Sequence, residues 1–160
     1  MGHGEKGEAD GGRLLLSSGD AWDPTAAGGS VTISAGAGLS DDIVDGGDGG
    51  SVMINGGYAA GFNSTSDVGG DVLVTGGEAI SASGGDIELR TGYSMTSSSG
   101  QLTLSTDHSG VSGSSGDVFV TTGSAQVDNS GSINMRTGDA FYGMGGEISL
   151  AVGLSMDTFY

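Results

Sequence analysis

Short apolar runs alternate with polar positions and recur at fixed distances from glycine pairs along almost the whole chain. Numbered from the second glycine of each pair, or from the single glycine that follows Ser99, Ser115 and Ser130, nine repeats begin at Gly12, Gly29, Gly50, Gly70, Gly85, Gly100, Gly116, Gly131 and Gly146. The intervals between them are 17, 21, 20, 15, 15, 16, 15 and 15 residues. The third position is Leu14, Val31, Val52, Val72, Ile87, Leu102, Val118, Ile133 and Ile148; the fifth is Leu16, Ile33, Ile54, Val74, Leu89, Leu104, Val120, Met135 and Leu150. Both rows are apolar in every repeat, whereas the fourth position ranges from Leu15 and Phe119 to Glu88 and Asn134. A period of two predicts a strand whose third and fifth residues face inward and whose fourth faces water. No stretch carries the 3.6-residue period of a helix.

Two further rows complete the expected cross-section. The tenth position is always small (Ala21, Gly38, Ala59, Ala79, Ser94, Ser109, Ala125, Ala140, Ser155), which predicts two closely approaching sheets. The eighth is Gly19, Gly36, Gly57, Gly77, Gly92, Gly123, Gly138 and Gly153, with Asp107 in repeat 6. Glycine, and less readily Asp, tolerates positive φ, so a tight turn is expected there. The fold expected is all-β: a parallel β-solenoid of about nine 15–21-residue coils with a flattened two-sheet section, forming one domain over residues 11–160 after a polar N-terminal extension, 1–10. Stacking at about 4.8 Å per coil would give a rod on the order of 40 Å long.

Composition both tempers and sharpens this picture. Thirty-five glycines and a single proline, Pro24, would by themselves indicate a low-complexity chain. The regular placement of the aliphatic residues argues instead for a repeat architecture. Four Lys and Arg against 20 Asp and Glu give a net charge of -16, which excludes nucleic acid as a partner and suits cations, water and solubility. With no cysteine there is neither a disulfide nor a thiolate metal site. No window approaches a membrane span, and residues 1–12 carry no apolar signal-peptide core.

The segments "GGSVTISAG", "GGDVLVTGGEA", "GGDIELRTG" and "GGEISLAVG" resemble the Gly/Ser/Thr-rich repeat proteins of microalgae and other aquatic organisms, which form surface or filament β-solenoids. The likeness covers roughly residues 11–160 and implies a structural role without assigning any functional residue. The chain is also similar, more weakly, to repeat antifreeze solenoids, whose ice faces are regular Thr-x-Thr arrays.

The candidate sites are few. Thr91, Thr106, Thr122 and Thr137 hold the seventh position of four consecutive repeats. Such a file is either an internal ladder of hydroxyls that keeps register or an outward face that orders water and binds ice. Asp71, Asp86, Asp117 and Glu147 share the second position, where stacked like charges would raise a carboxyl pKa or recruit a cation. Asp41, Asp42, Asp45 and Asp48 in "DDIVDGGDGG" offer hard oxygens on a Gly-rich loop and form a candidate calcium site, although they lack the order of an EF-hand loop. His3 and His108 cannot assemble a zinc site, and Ser109, after His108, belongs to the small row. Asn63, in Asn63-Ser64-Thr65, is the only N-x-[ST] glycosylation acceptor. Of the aromatic residues outside the rows, Phe141 is expected to fill the wider end of the section together with Ile80, Met95 and Met156.

No constellation of these residues reads as an enzyme. The function expected is that of a rigid rod or filament-forming segment of an extracellular surface structure, its partner being itself, end to end or side by side. Polar residues at the N-terminus and a last repeat that closes at Tyr160 provide no caps, and an open strand edge recruits strands. The alternative is an ice- or polysaccharide-binding solenoid that presents an outward Ser/Thr file. No cofactor is expected beyond the candidate calcium, and neither nucleic acid nor membrane insertion enters the reading.

Overall fold

The structure is a computed structural model that describes residues 10–155. Most of the 1–10 extension, together with His3, Met156 and Tyr160, lies outside the described residues. Among the described residues there is no β-strand and no helix; the backbone is irregular, with one bend or turn in each of repeats 1 to 8. The all-β parallel solenoid with its two sheets is therefore incorrect, and the parallel β-helix expectation falls with it. A parallel ladder pairs successive N–H and C=O groups along neighbouring strands. Where the chain joins one repeat to the next, it does so through a single backbone bond at a glycine corner, as between Gly85 and Gly77. Glycine also loses more conformational freedom on ordering than any other residue, and here it is the commonest one.

The chain divides into two units, Met1–Ile87 and Glu88–Tyr160, the division falling inside repeat 5. In the first unit the first glycine of each new repeat donates its N–H to the eighth-position glycine of the repeat before: Gly29 to Gly19 at 2.9 Å, Gly50 to Gly36 at 2.9 Å, Gly70 to Gly57 at 2.8 Å and Gly85 to Gly77 at 2.9 Å. In the second unit Gly100 donates to Gly92 at 3.0 Å. Each bond clasps a repeat at the register that the glycine rows define.

The bends keep that register too. In repeats 4 to 8 they occupy residues 80–82, 95–97, 111–113, 126–128 and 141–143, always five to three residues before the next repeat's first glycine. Repeat 6 is one residue longer than its neighbours, and its extra residue precedes the bend. Gly113, with φ of 123°, closes that bend in the left-handed region where a side chain would be strained.

No described residue is buried. The third row is nevertheless the best shielded of the large apolar positions, at 50–60% exposure in repeats 2 to 9, against 65–85% for the fifth row. Period-two patterning thus survives as a difference in shielding, without becoming a core. The chain exposes 16,712 Å². A folded monomer of its mass exposes roughly 7,000 Å² and an extended chain roughly 22,000 Å², so most of the surface that a globular domain would bury stays open.

Candidate functional site

The most regular construction in the molecule is the clasp between positions one, seven and eight. The first-position glycine lies against the seventh-position residue of the preceding repeat. A Cβ placed on Gly29 would stand 3.0 Å from Ser18 Cβ, one on Gly50 3.4 Å from Ala35 Cβ, and one on Gly85 3.1 Å from Gly77 N. At Gly70 the nearest atom, Gly57 N, would be only 2.8 Å away. In repeat 1 the Ser18 hydroxyl adds a bond of 2.6 Å to the Gly29 carbonyl.

The eighth-position glycines behave differently. Gly19, Gly36, Gly57, Gly77, Gly92, Gly123, Gly138 and Gly153 have open space where a Cβ would go, and none has positive φ. The left-handed turn expected at this row is therefore absent. Close backbone approach is found instead at the first position in Gly29, Gly70 and Gly85, and at the seventh in Gly56 and Gly76, where a Cβ would collide with the Gly70 and Gly85 carbonyls. A similar approach appears once in the tenth row: Gly38 faces Gly47 so closely that a Cβ on Gly47 would stand 2.9 Å from Gly38 Cα. Of the remaining small residues in that row, Ala59 and Ser94 are half-buried and the others are exposed, Ser109 among them.

In the second unit the threonine file takes over the clasp. Thr91 Cβ lies 3.3 Å from the place a Cβ would occupy on Gly100; Thr106 Cγ2 lies 3.5 Å from that place on Gly116, and Thr122 and Thr137 each 3.4 Å from theirs on Gly131 and Gly146. Thr106, Thr122 and Thr137 thus turn a methyl toward the next repeat's first glycine. Among the described residues no hydrogen bond joins one of these hydroxyls to another. Thr137 is half-buried and the other three are exposed. The flanking Arg90 pairs with Glu88 at 3.4 Å and Arg136 with Asp139 at 3.5 Å, both in solvent.

The acidic loop of repeat 2 organises around one carboxylate. Asp42 Oδ1 accepts from Val44 N at 2.8 Å and from Asp45 N at 3.3 Å, and these two bonds hold its pKa below the usual aspartate value. Asp42 is thereby committed to its own turn. Among the described residues no three acidic or histidine side chains gather into a metal-binding group, so Asp41, Asp42, Asp45 and Asp48 are not brought together as a calcium cage. In repeat 1, Asp23 Oδ1 accepts from Thr25 N at 2.9 Å and from its hydroxyl at 2.8 Å, which likewise lowers its pKa. His108 bonds through its backbone N–H to Asp107 Oδ1 at 2.7 Å.

The repeat 3 return is the densest local network. Asn63 Oδ1 accepts from Thr65 N at 3.1 Å and from Thr65 Oγ1 at 2.7 Å, while Asn63 N donates to Asp67 Oδ2 at 2.8 Å. The Asn63 carbonyl accepts from Ser66 N and Asp67 N at 3.2 and 3.0 Å. Gly61 sits directly against the Asp67 carboxylate, which a Cβ at that position would collide with.

The remaining chemical surface is apolar. Ile80, Met95 and Phe141 stand in the bends of repeats 4, 5 and 8 and are fully open, so they do not fill a cross-section. Trp22, Tyr58, Phe62, Tyr93, Phe119 and Tyr142 are open as well. What sequence reasoning missed was the close approach of Gly56 to Gly70 and of Gly76 to Gly85, where no side chain fits at the seventh position. The signal was in the Gly56-Gly57 and Gly76-Gly77 pairs, which stand where the other repeats carry Ser, Ala, Thr or Val at the seventh position. Comparison with protein-family models, with curated proteins and with solved structures returns no match.

Proposed function

We propose that the chain is a structural repeat protein of an extracellular surface assembly, joined side by side to copies of itself through its third and fifth rows. The observation that carries this reading is the openness of those rows. Val52, Val72, Ile133 and Ile148 are aliphatic residues at one register position, each about half exposed and without a core to enter. Apolar surface left in water favours association at roughly 25 cal/mol per Å² removed. The surface in excess of a folded monomer, on the order of 9,000 Å², is several times the roughly 1,600 Å² of a standard protein interface. A second copy fits better than an unrelated partner because the row repeats with the period of the chain itself. The net charge of -16 opposes that association and keeps the separated chain soluble.

Sedimentation velocity over a wide concentration range, with electron microscopy of the same samples, tests the proposal. Assembly that grows with concentration, and that is lost in the double variant Val72→Asp with Ile133→Asp, is the expected result. A chain that sediments as a monomer at every concentration refutes it.

A further inference from the structure

We propose that Asn63 is an acceptor for an N-linked glycan, held in an acceptor-ready conformation by the Asn63–Asp67 loop. Motif and geometry contribute separately. Asn63-Ser64-Thr65 places a hydroxyl two residues after an asparagine, whereas Asn55, Asn129 and Asn134 are followed at that distance by Gly57, Gly131 and Arg136. Asn63 is exposed and sits in a return, outside the clasp formed by Gly57 and Gly70. Its side-chain oxygen takes both bonds from Thr65, which leaves Nδ2, the atom that would be modified, without a partner among the described residues. Asp67 holds the loop from the other side through Asn63 N, and Gly61 gives that carboxylate room to reach it. The loop therefore presents its acceptor without help from any core.

The donor is a lipid-diphosphate-linked oligosaccharide. A bond forms between Asn63 Nδ2 and the anomeric carbon, and the bond from that carbon to the phosphate oxygen breaks. The lipid diphosphate leaves with the electron pair, and the amide proton passes to a base of the transferase. No oxidant or reductant is needed. The inference does not rest on self-association, since a separated chain presents the same loop.

Incubating the purified full chain with a eukaryotic oligosaccharyltransferase and its lipid-linked donor, followed by mass spectrometry, tests it. One glycan per chain, mapped to Asn63 and removed by a glycoamidase that leaves aspartate behind, is expected. Asn63→Gln and Thr65→Ala should abolish the addition and Thr65→Ser should retain it. Asp67→Ala should slow it by about fivefold, as befits the loss of one loop-closing bond. An unmodified chain beside a modified control peptide overturns the proposal, and so does a glycan that persists in Asn63→Gln. An unchanged rate in Asp67→Ala overturns the part assigned to the loop.

Discussion

Gly57 and Gly70 stand at the two ends of one 2.8 Å hydrogen bond, yet replacing each by alanine should have opposite consequences. A Cβ on Gly70 would lie 2.8 Å from Gly57 N, closer than side chains approach backbone, so the two segments must separate and the bond with them. A net hydrogen bond contributes about 1 kcal/mol, which corresponds to about a fivefold change in an equilibrium. A Cβ on Gly57 meets nothing within 4 Å, and Gly57 does not have positive φ. Gly57→Ala should therefore preserve the bond and, by restricting the open chain, strengthen the clasp by about 0.4–1 kcal/mol. The assay is amide hydrogen exchange at residue 70 by NMR, corrected for the intrinsic rate of the substituted residue. Gly70→Ala should accelerate exchange about fivefold, while Gly57→Ala should leave it equal or slower. Equal acceleration in both variants refutes the assignment of the steric constraint to the first position, as does a residue 70 amide that already exchanges at the free-peptide rate.

Three more expectations concern charge. The Asp23 and Asp42 carboxyls bind protons less readily in their turns than when free, so the turns hold above the ordinary value near 3.8 and loosen as pH falls through the lowered one; carbonyl-carbon NMR titration of the two residues reads this directly. Because self-repulsion opposes assembly, raising ionic strength from 0.01 to 0.15 M, which shortens the screening length from about 30 to about 8 Å, should increase light scattering. Weaker scattering in salt would contradict the self-association proposal. Arg90→Ala removes only an exposed pair with Glu88, and amide exchange in repeats 5 and 6 should change less than about twofold.

The period was legible in the chain, because it is a local property repeated many times. The bends, which fall three to five residues before the next repeat rather than at the eighth row, and the pairing of glycine rows one and eight emerged only in the structure. The step from the alternating pattern to sheets was not legible either. Residues such as Val72 and Val74 fit a strand, but a strand also needs neighbours whose backbone groups pair along its length, and that is a non-local condition. The thresholds between positions were equally hidden. Gly36 and Gly50 look alike as letters, yet one accepts a bond in open space while the other lies against Ala35 and Gly36. The Thr91 to Thr137 file was visible as a file, and whether methyl or hydroxyl met the next repeat depended on where the following glycine lay. In the acidic loop, proximity in sequence did not show that Asp42 places its oxygen on the backbone of Val44 and Asp45.

The clasp bonds span very different lengths of chain. Gly77 and Gly85 are eight residues apart and Gly36 and Gly50 fourteen, but both bonds measure 2.9 Å. Closure entropy grows only with the logarithm of loop length, so the longer return costs about 0.5 kcal/mol more than the shorter one. Such a fastening tolerates whatever lies between its ends. The returns of repeats 2 and 3 are accordingly places to graft foreign peptides for display, two spaced attachment points on a single chain.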